Sequence, residues 1–285
     1  MTACSFQGLK VLSFESRRSV EMSRLIETYG GSAIAAPSMR EVPLSENKAA
    51  VNFARGLIAG HYDLVLFLTG VGARALRQVL AEGAGPEFEE AFVEALRHVK
   101  VAARGPKPLS VLREWSVPVA FTAPEPCTWR ELLAGVVDYR GGLHGTRVAV
   151  QEYGVPNEEF LSALRERGAT VDEIAVYRWE LPENIAPLRA AISEVIAHKV
   201  DVALFTTGVQ VTHLFRIAEE MGETQRLRHA MQKVMVASIG PSTTETLQNF
   251  GLGVDLETSH PKMGLLVREA AEQSAAVTAE KRQIH

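Results

Sequence analysis

Four short segments carry the residue types from which an anion site is made. They are Thr69-Gly70, Gly105-Pro106, Thr206-Thr207-Gly208 and Gly240-Pro241-Ser242-Thr243. Each follows a short apolar run and opens an amphipathic stretch, as expected of a strand that ends where a helix begins. The first turn of a helix leaves backbone N–H groups unpaired, and the helix dipole makes that end positive. A single serine or threonine there reads as an ordinary helix cap. Four such ends, recurring in both halves of the chain, point to a ligand bearing several negative charges. Arg17, Arg18, Arg74, Arg104, Lys107, Arg178 and Lys262 lie close in sequence to strand ends and could pair with carboxylates.

Other chemistries find less support. Gly70-Val71-Gly72-Ala73-Arg74-Ala75 has the form G-x-G-x-x-A between a strand and a helix, where a dinucleotide fingerprint belongs. The matching Gly208-Val209-Gln210 lacks the second glycine, and no strand ends in an acidic residue about 20 positions on, where a ribose partner is needed. A tight strand-to-helix turn is the better reading. The eight histidines show no metal-ligand spacing, and Cys4 and Cys127 are far apart, which suits free thiols in a reducing compartment. No G-x-S-x-G elbow is present. Glu158-Glu159 and Glu219-Glu220 fall within helical stretches and read as solvated faces.

The elements that must position these segments are repeated. Asp63 to Val71 reappears as Asp201 to Val209, Lys10 to Ser13 as Arg147 to Val150, and Val101 to Pro106 as Val236 to Pro241. An ordered series over half the chain implies two similar α/β units with a ligand cleft between them. Strand and helix alternate throughout, so both sheets should be parallel and doubly wound, with about five strands per unit in a flavodoxin-like fold. From pattern alone, the domains divide either near residue 138, one copy each, or by exchange through the proline-bracketed segment 37–43 and the segment 173–181. Residues 275–285 read as a frayed tail. The chain has 285 residues, 46% of them hydrophobic and 22% charged, with a net charge of −4. Those values suit two globular domains and argue against nucleic-acid binding. With no apolar run near the ~20 residues of a membrane span and no signal-like N-terminus, a soluble cytoplasmic protein is expected.

Three further stretches carry a resemblance: Val236-Ala237-Ser238-Ile239-Gly240-Pro241-Ser242-Thr243 leading to Leu247 and Gly251, Ile174-Ala175-Val176-Tyr177-Arg178, and Phe205-Thr206-Thr207-Gly208-Val209. With Leu66 to Gly72 and Pro37 to Pro43, their order over nearly the whole chain resembles the bacterial uroporphyrinogen-III synthase family. The resemblance implies exchange: one domain from residues 1–38 and 178–285, another from 42–174, and a two-stranded hinge of the connectors 37–43 and 173–181. It implies hydroxymethylbilane, a linear tetrapyrrole with eight carboxylates, as substrate, and no cofactor or metal. The implied chemistry is loss of the terminal hydroxyl as water, attack of the last pyrrole ring through a spiro intermediate, and closure with that ring inverted. Selectivity would come from holding the chain in one geometry.

By the same resemblance, Tyr177 is the candidate to assist departure of the hydroxyl, since a phenol retains its proton at neutral pH. Thr207 and Thr243, then Thr206 and Ser242, are the implied carboxylate binders. Thr69, Gly70, Arg17, Arg18, Arg178 and Lys262 complete the expected site. Many relatives carry Thr-Arg-Pro after the first strand, whereas this chain has Phe14-Glu15-Ser16-Arg17-Arg18, and Thr206-Thr207-Gly208 replaces the usual Ser-Pro-Ser-type turn. A monomer is expected, because one chain supplies the whole cleft, with at most transient contact with the deaminase that precedes it. The rival readings are a non-catalytic tetrapyrrole-binding or sensor protein on the same scaffold, and an oxidoreductase resting on Gly70 and Gly72.

Overall fold

In the computed structural model, which describes residues 4–43, 47–152, 154 and 157–284, the chain divides into two compact units. Unit 1 is Met1–Arg40 with Glu180–His285, and unit 2 is Glu41–Trp179. The chain begins with β1 (Lys10–Ser13), α1 (Ser19–Thr28), β2 (Ser32–Ala35) and β3 (Arg40–Pro43). Unit 2 follows with α2 (Lys48–Ile58), β4 (Leu64–Phe67), α3 (Gly70–Ala84), α4 (Pro86–His98), β5 (Lys100–Ala103) and α5 (Pro106–Glu114). It continues through β6 (Phe121–Thr122), α6 (Trp129–Arg140), β7 (Arg147–Gln151), α7 (Glu158–Glu166) and β8 (Thr170–Ile174). The chain returns by β9 (Tyr177–Glu180) to α8 (Ala186–Ile196), β10 (Val202–Phe205), α9 (Gly208–Glu220) and α10 (Thr224–Met231). It ends with β11 (Met235–Ser238), α11 (Pro241–Asn249), β12 (Leu256–Glu257) and α12 (Met263–Ile284).

Both units are five-stranded parallel sheets, ordered β12-β11-β10-β1-β2 and β6-β5-β4-β7-β8. β1 pairs with β10 and β4 with β7, so each sheet takes strands from both sequence repeats. Unit 1 has the flavodoxin-like order. Unit 2 has the same arrangement in space, but its chain enters at the central strand, so its local order reads 3-2-1-4-5. β3 and β9 form a separate two-stranded sheet through which the chain passes from one unit to the other and back. Arg40 at its edge is fastened to Glu180 at 3.0 Å and to the Leu181 carbonyl at 3.1 Å.

The strands read as continuous apolar runs because helices cover both faces of each sheet. Alternate residues serve opposite cores. Val65, Phe67 and Val101 join α2 to α5 residues on one face of unit 2, while Leu64, Leu66 and Val148 meet α6 and α7 on the other. In unit 1, Leu12, Ala203 and Phe205 pack on α8 and α9, and Val11, Val202 and Leu204 on α1 and α12. At about 1.5–3 kcal/mol for each fully buried Leu, Val or Phe, these faces outweigh any helix cap.

Two expectations from sequence are corrected. Residues 275–284 are helical, continuing α12: Lys281 bonds the Val234 carbonyl at 2.7 Å and Asp255 at 2.6 Å, and Arg282 reaches Asp201 at 2.6 Å. These tertiary ties hold a stretch whose own pattern looks frayed. α6 also escapes the sequence reading, although Thr128 and Glu131 form a capping box at its start.

Candidate active site

In an open parallel sheet, ligands sit beyond the strand C-ends where the strand order reverses. That point falls between β4 and β7 in unit 2 and between β1 and β10 in unit 1. Each carries a cluster of polar side chains.

In unit 2, Thr69 leaves β4 in extended backbone and caps α3, its Oγ1 accepting the Gly72 N–H at 2.9 Å. Its own N–H donates to Oε1 of Gln151, at the end of β7, at 3.3 Å. The Gln151 side chain is buried, and its Nε2 donates to the Glu152 carbonyl. The space it occupies exists because residue 72 is glycine: a Cβ there would overlap the amide. A Cβ at Gly70 would stand 2.8 Å from the Lys107 carbonyl. The two glycines of the G-x-G segment therefore admit the protein's own atoms, which accounts for them without a pyrophosphate.

Tyr177, the first residue of β9, brings its hydroxyl to 3.2 Å from Thr69 Oγ1. Its ring is buried at 2% exposure, stacked edge-on to Trp179 at 5.4 Å and packed on the backbone of Gly154. A side chain at Gly154 is doubly excluded, by φ of +91° and by a Cβ only 2.7 Å from both aromatic rings. Tyr177, Thr69 and Gly70 are thus brought together. Arg178, the next residue on the strand, is exposed, because neighbours in a strand face opposite ways.

In unit 1, Thr206 is already engaged. Its hydroxyl donates to Glu15 at 2.7 Å and accepts from Nε2 of Gln210 at 2.8 Å, while its N–H donates to Gln210 Oε1 at 2.8 Å. Glu15 also accepts the Arg18 N–H at 3.3 Å. Arg18 itself turns to an ion pair with Glu21 on α1, and Arg17 is exposed. Two further hydroxyl positions are closed by the chain's own carboxylates. Thr244 donates to Glu257 at 2.5 Å, and Glu269 takes the Thr258 hydroxyl and the Ser259 N–H, each at 2.9 Å.

Three hydroxyls at these helix starts remain unclaimed among the described residues. Thr207 stands at the N-cap of α9 without capping it, and Ser242 and Thr243 sit in the first turn of α11. Thr243 is buried at 4% exposure and Ser242 is exposed. Lys262, exposed before α12, carries no ion pair among the described residues.

Sequence reasoning missed Glu15, Gln151, Gln210 and Trp179. The repeat held the signal for two of them, Glu15 and Gln210. Its register sets Glu15 opposite Glu152 and Gly72 opposite Gln210, so each unit places one carboxamide over the start of the helix after its central strand. In unit 1 that amide comes from the helix; in unit 2 it comes from β7, and glycine makes room for it.

The Tyr62 hydroxyl is pushed up to about 12, chiefly by burial and then by its 2.6 Å bond to Asp172. It lines a shallow groove of about 500 Å³ with Arg147 and Asp172. Both Tyr62 and Arg147 stand at the N-terminal ends of β4 and β7, so this cluster braces the far side of the sheet. Among the described residues, no group of His, Cys, Asp or Glu is arranged to hold a metal ion, and no helix is long and apolar enough to cross a membrane.

Two doubly wound parallel units, each with hydroxyls and amides gathered where its strand order reverses, define a two-unit α/β protein with polar groups at the strand ends where such folds take their ligands. A family model described as uroporphyrinogen-III synthase HemD matches residues 20–268. The chain belongs to the uroporphyrinogen-III synthase family. It is 29% identical over 266 residues to the uncharacterized protein YjjA of Bacillus subtilis (strain 168), covering 93% of this chain and 96% of that one. Its fold matches a crystal structure of uroporphyrinogen III synthase from Thermus thermophilus, with TM-score 0.67, 22% identity and coverage of 98% and 100%. It also matches uroporphyrinogen-III synthetase from Helicobacter pylori 26695, with TM-score 0.51, 14% identity and coverage of 92% and 98%.

Proposed function

We propose that this protein is a uroporphyrinogen-III synthase that closes hydroxymethylbilane with inversion of the last ring, acting as a cytoplasmic monomer without a cofactor. Family membership supports the reaction class. One observation in this chain carries the reading to the substrate: the unclaimed hydroxyls of Thr207, Ser242 and Thr243 at the N-termini of α9 and α11. Backbone N–H groups, a helix dipole and a free hydroxyl at each end suit ligand carboxylates. Thr206 is excluded from that role, because its hydroxyl is committed to Glu15.

The chemistry asked of the protein is modest. A pyrrole nitrogen lone pair expels the terminal hydroxyl, which takes up a proton and leaves as water. Loss of the pyrrole N–H proton gives the azafulvene. The last ring attacks through its substituted carbon, the spiro intermediate fragments, and reclosure followed by proton loss yields the asymmetric macrocycle. Tyr177 donates a hydrogen bond to the departing oxygen, and the carboxylate contacts hold the chain so that the substituted carbon is the one within reach.

The test is a coupled assay in which hydroxymethylbilane is generated in place, the products are oxidised, and the type I and type III isomers are separated. A dominant type III product is expected, with Tyr177→Phe slowing turnover roughly 10²-fold. Type I alone, formed at the rate without protein, would overturn the reading and leave a tetrapyrrole-binding protein.

A further inference from the structure

We propose that Glu269 is a positioning residue for carboxylate binding: it holds loop 258–262 so that Lys262 and the start of α12 complete the site begun by Ser242 and Thr243 on α11. The proposal rests on the synthase reading for the identity of the ligand and on this loop of unit 1 for its geometry.

The loop runs beside the start of α11. β11 and β12 pair at Ser238 and Glu257, and the Thr258 N–H then donates to the Ser238 carbonyl at 3.0 Å. Pro261 passes within 4.0 Å of the position a Cβ would take on Gly240, the residue before α11. Lys262 follows, and its carbonyl accepts the Leu266 N–H at 3.0 Å in the first turn of α12. A lysine is unfavourable there, because the start of a helix is its positive end. The chain's own acids do not relieve it. Lys262 is exposed and has no ion pair among the described residues, while Glu257 is bonded to Thr244 and Glu269 to the loop. A Cβ on Gly264 would meet nothing within 4 Å, so the first turn of α12 opens to solvent with its N–H groups unpaired. One loop thus gathers a cation and two helix starts, an arrangement that a carboxylate stabilises.

Glu269, on α12, fixes this loop. Its carboxylate accepts the Thr258 hydroxyl and the Ser259 N–H at 2.9 Å each, and the Ser259 hydroxyl at 2.5 Å. Burial pushes the Glu269 carboxyl up, but the bonds from Ser259 and Thr258 outweigh it and hold the group below the usual carboxylate range. Glu269 is therefore ionised at neutral pH and accepts all three bonds, which leaves none of their directions open. Charge-assisted bonds to two successive residues restrain the backbone three positions before Lys262. Glu269 in this way sets where the cation stands without touching the ligand.

The experiment compares wild type with Lys262→Gln, Glu269→Gln and the double variant, resolving KM from kcat in the isomer assay. A second readout needs no turnover: fluorescence titration with uroporphyrin III, the oxidised product, which keeps the eight carboxylates. Lys262→Gln should raise KM and the uroporphyrin Kd about 5-fold with kcat unchanged. Glu269→Gln removes a negative charge, which by itself would tighten binding of a polyanion. The proposal requires the opposite sign, a rise of about 3-fold or more in both constants. The double variant should bind no more weakly than Lys262→Gln, because a misplaced lysine and an absent one are equivalent. Ser259→Ala, which cuts one tie at a smaller cost to the fold, should raise both constants too. Unchanged constants in Lys262→Gln would remove the lysine from the site and overturn the proposal. A Glu269→Gln effect confined to stability, a fall in KM, or full additivity in the double variant would overturn the positioning role. Should wild type form no type III isomer, the synthase reading falls, while the uroporphyrin titration still decides the role of the loop. A wild type that binds no uroporphyrin overturns the carboxylate site itself.

Discussion

Thr206 and Thr207 are adjacent, have the same side chain and stand at the same strand end, yet the structure gives them opposite tasks. Thr206 is bonded to Glu15 and Gln210, so its hydroxyl belongs to the scaffold; Thr207 has its hydroxyl unclaimed. The same division separates Thr244, bonded to Glu257, from Thr243 beside it. A hydrogen bond to a charged group is worth about 1.5–3 kcal/mol, so Thr207→Val and Thr243→Val should each raise KM about tenfold or more with little change in kcat. Thr206→Val should leave KM within about twofold and lower stability by about 1 kcal/mol, because it strands Gln210 and Glu15. Steady-state kinetics beside urea unfolding separates the two patterns; equal KM effects at positions 206 and 207 would contradict the assignment. No reading of residue type alone could have ranked these threonines. The ranking depends on Glu15 and Gln210, which reach Thr206 from a different strand end and from a helix.

At the scale of elements, α9 does more than begin at a strand end. His213, buried on α9, places Nδ1 2.7 Å from the Ser38 carbonyl, on the segment running from β2 into β3. Burial, with Arg216 nearby, holds its pKa below the ordinary 6.5, against the opposing pull of the Ser38 bond. A folded-state pKa below the unfolded one means that the unfolded chain binds the proton more readily. This contribution to stability is therefore whole above about pH 6.5 and is lost as pH falls through the lowered folded value. Urea midpoints from about pH 8 to about pH 5 should decline on the acid side, and His213→Gln, which offers a donor but does not titrate, should flatten part of that decline. Identical pH dependence in the two proteins would show that His213 is not the group responsible. α12 teaches a related lesson about elements. Its last turns have the composition of a tail, and they are helical because Lys281 and Arg282 find Asp255, Asp201 and the Val234 carbonyl on the sheet.

The whole molecule carries a net charge of −4 while its proposed substrate is a polyanion. Binding must then depend on local donors strong enough to offset a mildly repulsive background. Raising ionic strength from about 0.05 M to about 0.5 M shortens the Debye length from about 14 Å to about 4 Å, which should raise KM several-fold while kcat changes little. A KM indifferent to salt would argue that carboxylate pairing does not govern recognition. Much of this architecture was legible in the residues. The repeat between Asp63–Val71 and Asp201–Val209 announced two like units, and apolar strand runs announced parallel sheets covered on both faces, because burial pattern and helix punctuation are local properties. The sequence also located the hydroxyl-rich strand ends, including Thr69, Thr207 and Thr243. Tertiary structure alone decided that β1 lies against β10 and β4 against β7, since pairing joins residues far apart in the chain. It alone decided which hydroxyls are already engaged, because hydrogen-bonding capacity belongs to a residue type whereas its satisfaction belongs to neighbours brought in by the fold. For that reason Gly72, which in sequence reads as part of a tight strand-to-helix turn, is in the folded chain the space filled by Gln151.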